Sequence, residues 1–425
     1  MSTPPLSSQF KVAGQFVTQL YATKVRTQYA ARVLHAPLAA AIVSPGKRNP
    51  YPLYDQARDI GALWPLPRDA RVHVSARHAV CKQVLKSHDF GVGGRTILGK
   101  DAFEFSMSLL EMDPPEHTRL RRVAAPAFSP RRLGGYAVAI EKIVNERLDA
   151  VAPGQPFDIV GILAAPLPIR IISELLGVPQ IDEAPFLRWG TALGSALEGP
   201  HGLWHARRIM SAKNGLDAMF ERLVTQRRAE PRDDMISSLI EQEGGAVRSE
   251  EILPLCMLLL VAGFETTVNL IGNAMGALMH DLEQWQLLVR DPSRAAHAVE
   301  ETLRYDPPIQ FTDRVALRDS RIGDYQIPKG HRVLCVLAGA NRDPERFVRP
   351  NFFDITRSED SASDHLAFSG GVHYCLGAPL ARLEAEIALR TVAQRMPLLQ
   401  PAGSPRRRSS VTVRGLRELP VVSAA

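Results

Sequence analysis

Phe368-Ser369-Gly370-Gly371-Val372-His373-Tyr374-Cys375-Leu376-Gly377-Ala378 places one cysteine in a glycine-rich loop immediately before a helical pattern. Glycines at 370, 371 and 377 let the backbone pass close to a flat ligand and adopt positive φ without a Cβ penalty. A helix starting near Leu376 aims its N-terminal N–H groups at the sulfur, which favours thiolate over thiol. The four cysteines, Cys81, Cys256, Cys335 and Cys375, are scattered without paired spacing. No disulfide framework is expected, and a reducing, cytoplasmic setting is. One thiolate is too few for a structural zinc or an iron–sulfur cluster, but it suffices as the axial ligand of a haem. Taken alone, a cysteine is more often a small buried apolar residue.

A second stretch points the same way. Residues 252–282 form the strongest helical pattern in the chain, apolar nearly all round from Leu255 to Val261 and therefore buried. Ala262-Gly263-Phe264-Glu265-Thr266-Thr267 interrupts it, and an acid there argues against a lipid-spanning segment. Locally, the two hydroxyls can return to carbonyls one turn back and Glu265 can find a basic partner. The functional alternative is that small Ala262 and Gly263 let the helix lie against a cofactor, while a hydroxyl widens the helix and admits water.

Elsewhere the signals are weaker. Residues 1–48 have their own character, with Phe10, Val12, Phe16, Val17, Leu20 and Tyr21 at near-helical spacing. They read as an extension that packs on the main domain, with attachment to anionic lipid as the competing reading. Residues 49–425 then form one domain. Residues 71–76 read as a strand, 90–111 as a glycine-bearing loop, 133–176 as interrupted helix, and 180–228 as two helical stretches. In the segment that opens with Met112, Asp113 is placed to cap a helix on which His117 and Arg121 lie four apart, so that both can donate to carboxylates. His201 and His205 share helical spacing but lack a visible third ligand. Glu301 and Arg304 lie three apart on a helix. Residues 309–317, 321–326 and 332–337 read as short strands, 378–395 as a clean helix, and the tail with Arg406-Arg407-Arg408 as a hairpin edge.

With Phe368, Gly371, His373, Cys375 and Gly377 in place, the pattern Phe-x-x-Gly-x-His-x-Cys-x-Gly resembles the haem-binding signature of the cytochrome P-450 family. Residues 262–267 resemble its oxygen-binding groove, and Glu301, Arg304 and Arg357 resemble its Glu-x-x-Arg element with the third partner. Asn49-Pro50-Tyr51-Pro52-Leu53-Tyr54 is similar to the start of the body in bacterial members, so the resemblance covers nearly everything after it.

The resemblance implies a mainly α fold with a small β region, haem lying between the long central helix and the cysteine-loop helix. It implies that Cys375 ligates the iron and that Ala262, Phe368, Gly371 and Gly377 contact the haem. His117, Arg121, Arg314 and His373 would hold its propionates. Glu265 and Thr266 would be the acid and alcohol of proton delivery. It further implies a haem-thiolate monooxygenase that inserts one atom of dioxygen into a hydrophobic small molecule. A peroxide-driven peroxygenase or isomerase on the same scaffold is the alternative, and it would not need Glu265 and Thr266. The chain has no dinucleotide fingerprint or flavin domain, so the resemblance implies haem b served from NAD(P)H through a separate reductase and a ferredoxin. Arg119, Arg122 and Arg382 are candidates to face that acidic partner.

The whole-chain numbers agree. At 425 residues and 45% hydrophobic content the chain can bury a large core. A net charge of +6 is modest for that length and no nucleic-acid-binding fold accompanies it. Neither a cleavable secretory signal nor an uninterrupted apolar span is visible, so a soluble, cytoplasmic protein is expected.

Overall fold

The apolar run at 255–261 is the first half of a 32-residue helix, Ser249–His280, around which the other elements pack. The computed structural model describes Val25 and residues 27–66, 69–93, 108–178, 183–195 and 202–423. The near-helical stretch at 10–21, most of the 90–111 loop and His201 lie outside the described residues.

The helices are α1 (Tyr51–Ile60), α2 (His78–Lys86), α3 (Glu116–Ala124), α4 (Pro130–Asp149), α5 (Pro166–Leu176), α6 (Glu183–Gly194), α7 (Leu203–Ala229), α8 (Met235–Glu241), α9 (Ser249–His280), α10 (Leu282–Arg290), α11 (Ala295–Tyr305) and α12 (Ala378–Arg395), with shorter turns between them. The long central helix is α9. Its start is fixed where the Glu251 carboxylate accepts the Arg248 N–H at 2.9 Å and pairs with the Arg119 and Arg248 guanidinium groups. It is long and apolar enough to cross a membrane, but 83% of its most apolar window is buried inside the protein. Helices α5, α6, α11 and α12 all pack on it, with α12 also packed on α4. Alanines 378, 385, 388 and 393 are buried, which lets α12 approach closely. Its bounds are those the sequence predicts.

The β region is small, as expected, but its pairing is not local. The main sheet has the order β1 (Trp64–Leu66), β2 (Asp69–Ser75), β8 (Arg332–Cys335), β5 (Thr312–Ala316), β3 (Phe90–Gly91). Strands β2 and β8 run parallel with Val74 opposite Leu334, and β5 runs antiparallel to β8 with Arg314 opposite Val333. Strands β6 (Ser320–Ile322) and β7 (Tyr325–Ile327) make a separate hairpin. Strand β4 (Phe157–Asp158) joins β12 (Pro420–Ser423) and β9 (Leu399–Pro401), and β10 (Arg406–Arg407) pairs with β11 (Leu416–Glu418). The basic tail thus does close as a hairpin.

A buried ion network ties α11 to the segment that leads into the cysteine loop. Both Arg304 and Glu301 are fully buried, and their side chains meet twice, at 2.8 and 2.7 Å. Arg357 adds a third bond to Glu301 at 3.1 Å, and Arg304 also donates to the carbonyls of Asn341, Pro350 and Phe352. The Asn341 side chain in turn accepts the Leu366 N–H at 2.7 Å, two residues before Phe368. Burial with every charge partnered separates this arrangement from an exposed surface pair.

Candidate functional site

A cavity of about 570 Å³ lies between α9, α12 and the cysteine loop. Cys375 opens onto it from one wall, and Ala262, Glu265 and Thr266 line another. Leu258, Leu259, Ile172 and Val413 make much of the remainder apolar.

The cysteine loop is held by its own backbone. Cys375 N–H donates to the Phe368 carbonyl at 2.9 Å and Tyr374 N–H to Gly371 at 3.1 Å. Of the three glycines, only Gly371 has a left-handed backbone, at φ +64°, and a Cβ there would also run into the Leu85 carbonyl on α2. Gly370 is extended, and Gly377 sits at φ −83° just before α12, so neither needs glycine for backbone strain. Among the four cysteines Cys375 alone is exposed, and it faces the cavity. Its exposure is to the cavity and not to bulk solvent, and desolvation by the surrounding protein pushes its thiol up, opposed by the N–H groups of Gly377 and Ala378 and by the Arg121 charge. The helix terminus thus acts on the sulfur as expected, yet the protein alone leaves it a thiol above its ordinary range. Cationic iron would tip that balance towards thiolate.

Four of the residues expected to act together converge at one corner. His117 and Arg121, from one face of α3, line the cavity, as does His373 from the cysteine loop. The His117 and His373 rings stand 4.4 Å apart. Arg314 reaches the same corner from β5, buried, and donates to Ser369 at 2.9 Å. Burial, then the Arg314 and His117 charges, hold His373 down to about 4. Burial and the neighbouring Arg121 hold His117 down as well. Neither His117 Nδ1 nor His373 Nε2 has a hydrogen-bond partner among the described residues. Two buried ring nitrogens without hydrogen-bond partners, beside two guanidinium groups that disfavour their protonation, form a donor set suited to a ligand bearing carboxylates. With an open thiol in the opposite wall and small Ala262 exposed towards the same space, the residues present fit a haem.

Asp113 departs from its expected role. Helix α3 begins at Glu116 after Pro115, and the Asp113 side chain instead accepts the Val92 N–H at 2.8 Å and approaches His373 Nε2 to 3.7 Å. Gly91 and Gly93 leave room for the carboxylate, so the N–H of the β3 turn wins it from the helix end. The basic candidates for a partner surface also differ from expectation. Arg119 is tied to Glu116 and Glu251, at 2.6 and 2.5 Å. Arg382 grips Glu300 at 2.6 Å, bonds the Tyr374 hydroxyl at 3.0 Å and lies over the Phe368 ring, so it braces the cysteine loop. Arg122 is exposed on α3.

In the groove of α9, Thr266 Oγ1 donates to the Ala262 carbonyl at 2.8 Å and Thr267 Oγ1 to Gly263 at 3.0 Å. Gly263 has a packing role too, since a Cβ there would press on Ile172 of α5. Glu265, buried, finds its basic partner in Arg408 from the C-terminal hairpin, at 3.5 Å, and is covered by Gly194 of α6. Sequence spacing offers no signal for Arg408 as a neighbour of this site or for the bond between Arg314 and Ser369; both contacts arise by long-range folding. His205 bonds Ser195 at 2.8 Å, and no metal-binding cluster is found among the described residues.

Comparison with known proteins agrees in sequence and in shape. The family described as Cytochrome P450 matches residues 295–416. Cytochrome P450 monooxygenase PikC of Streptomyces venezuelae is 38% identical over 387 residues, covering 88% of this chain and 91% of that protein. Ligand-free Mycobacterium smegmatis CYP164A2 superimposes with a TM-score of 0.82 at 38% identity, over 91% of this chain and 99% of that one. Myxobacterial CYP267B1 in complex with myristic acid gives a TM-score of 0.82 at 34% identity, over 91% and 99%.

Proposed function

This chain belongs to the cytochrome P450 family and is a haem-thiolate monooxygenase, and from that premise we propose that it oxidises an apolar small molecule with electrons from a ferredoxin. The observation that carries the reading is the convergence on one cavity of the Cys375 thiol, the His117, Arg121 and His373 donors, and the Glu265–Thr266 pair. Cys375 would hold the iron, with Phe368, Gly371 and Gly377 shaping the loop around it and Ala262 allowing close approach from the other face. His117, Arg121, Arg314 and His373 would take the two propionates of haem b. When bound, the haem supplies a thiolate-ligated iron at which dioxygen is reduced and split.

The chain's own residues do the remaining work. The apolar lining from Leu258, Leu259, Ile172 and Val413 excludes water and selects an apolar substrate. A relative holding myristic acid supports that class. Thr266 donates its hydroxyl proton to the Ala262 carbonyl, so its oxygen lone pairs remain to accept from a water in the cavity. Glu265 holds and passes a proton at its carboxyl group. Electrons come from outside the chain; we assign them to NAD(P)H, a reductase and a ferredoxin in the cytoplasm. Residues 1–48 are assigned as an extension to the 49–425 domain.

The test is reconstitution with ferredoxin, its reductase, NADPH and a panel of fatty acids and steroids under ¹⁸O₂. Product carrying one labelled oxygen and requiring the reductant is expected. Turnover with peroxide alone and none with reductant and dioxygen would assign a peroxygenase instead.

A further inference from the structure

Two strands of the main sheet bring one ion pair to the cavity wall. Asp313 on β5 lies opposite Leu334 on β8, and Arg332, two residues before Leu334, shares that face of the sheet. Both charged side chains belong to residues that line the cavity, beside Pro308, Ile309 and Phe311. Arg332 Nε and Nη2 donate to the same oxygen, Asp313 Oδ2, at 3.0 and 2.6 Å. Among the described residues nothing takes up its Nη1, and the Arg332 side chain is 37% exposed against 17% for Asp313.

The other charged residues of the cavity wall already have a use. His117, Arg121 and His373 are assigned to the haem propionates, and Glu265 pairs with Arg408 at 3.5 Å. Burial pushes the Glu384 carboxyl on α12 well above the usual carboxylate range, which favours its neutral form. Arg332 is then the one cation lining the cavity, among the described residues, that no assigned ligand uses. The shape of its guanidinium decides what suits it. Such a group has a side edge, Nε with Nη2, and an end edge, Nη1 with Nη2, and either edge can hold a carboxylate through two parallel bonds. Asp313 occupies the side edge and fixes the plane of the group, so the end edge is left over.

We propose that the free edge of Arg332 receives the carboxylate of an amphipathic substrate, whose apolar body occupies the part of the cavity lined by Leu258, Leu259 and Val413. The proposal rests on the reading of this cavity as the site of an apolar substrate, and it narrows that class to apolar acids. Arg332 is a specificity-determining residue in this scheme, since it touches the substrate but not the reacting atoms. Asp313 is a positioning residue. It holds the guanidinium in one plane and offsets part of its charge, so the wall is not costly to leave without a ligand. A neutral ester or alcohol with the same body would still enter, but it would offer the end edge one acceptor and no charge.

Two pairs of probes separate the carboxylate from the apolar body: tetradecanoic acid with its methyl ester, and lithocholic acid with its methyl ester. Each is titrated into the haem-loaded enzyme at neutral pH and followed by the Soret shift and by calorimetry, neither of which requires turnover. The acid of at least one pair should bind roughly tenfold to a hundredfold more tightly than its ester, and the difference should shrink in high salt. Arg332→Met should bring the acid down to the level of the ester and leave the ester as it is in the wild type. Asp313→Asn should tighten the acid alone, a gain that a damaged fold would not give. Acid and ester binding alike in the wild type overturns the proposal, as does an Arg332→Met that weakens both equally. If the esters bind and the acids do no better, only the carboxylate assignment fails. If none of the four binds, the reading of an apolar substrate falls with it.

Discussion

The imidazoles of His117 and His373 face each other with ring centroids 4.4 Å apart and planes tilted by 55°, although one comes from α3 and the other from the cysteine loop. Each leaves one buried nitrogen without a hydrogen-bond partner among the described residues, Asp113 coming only to 3.7 Å of His373 Nε2. Two neutral rings gain little from such proximity unless both donate to something placed between them and the nearby arginines.

The expected consequence is that His117→Ala and Arg314→Ala weaken haem retention without unfolding the protein. A hydrogen bond to a charged group contributes about 1.5–3 kcal/mol, so haem should transfer to a scavenger protein roughly tenfold to a hundredfold faster. Unchanged transfer rates in both variants would remove this corner from haem binding.

The network at Glu301 is structural. Arg304→Ala leaves the fully buried Glu301 with Arg357 and the Asp354 N–H as its partners and strips the Asn341, Pro350 and Phe352 carbonyls of their donor. Breaking a buried pair costs about 3–5 kcal/mol. Denaturant unfolding of Arg304→Ala should show a loss of that size together with poor haem loading, since the same network sets the segment that enters the cysteine loop.

Acid stability should depend on Asp306. Burial alone would raise its pKa, but the Arg414 and Arg407 charges and the Tyr51 hydroxyl, which bonds it at 2.6 Å, hold it down to about 2 from its ordinary 3.8. Because the folded value lies below the unfolded one, the stabilisation is complete above about pH 4 and is lost as pH falls through about 2. Asp306→Asn should lower stability at pH 7 and flatten its slope between pH 4 and pH 2, as read by urea unfolding across that range. An unchanged slope would mean that Asp306 is not the titrating group.

Thr266 can be separated from a purely local role. Its hydroxyl does bond its own helix, to Ala262 at 2.8 Å, and its side chain is also open to the cavity. Thr266→Ala should retain haem, fold and substrate affinity while product per NADPH falls at least roughly tenfold and peroxide rises. An unaltered ratio of product to NADPH would leave Thr266 with only the local bond.

Much of this site is legible in the sequence because its parts are local. The 368–378 loop, the Ala262–Thr267 interruption and the pairs His117/Arg121 and Glu301/Arg304 each lie within one or two helical turns, so spacing alone brings their side chains together. What the sequence hides is made by chain closure. The pairing of β2 with β8, the Arg408 contact to Glu265 and the Arg314 bond to Ser369 join distant segments, and no periodicity encodes them. Asp113 shows a different failure. Its type and position suit a helix cap, but the Val92 N–H across the β3 turn competes for the same carboxylate and wins. Arg119 and Arg382 read as free surface charge only because Glu251 and Glu300, which neutralise them, are far along the chain.

The central claim is that Cys375 supplies the thiolate to a haem. The most direct measurement is the absorption spectrum of the reduced, carbon monoxide-bound protein beside that of Cys375→Ala. A strongly red-shifted Soret band in the wild type, lost in Cys375→Ala and retained when Cys81, Cys256 or Cys335 is changed to alanine, is the expected result. A band that survives in Cys375→Ala, or that depends on one of the three buried cysteines, would contradict the account.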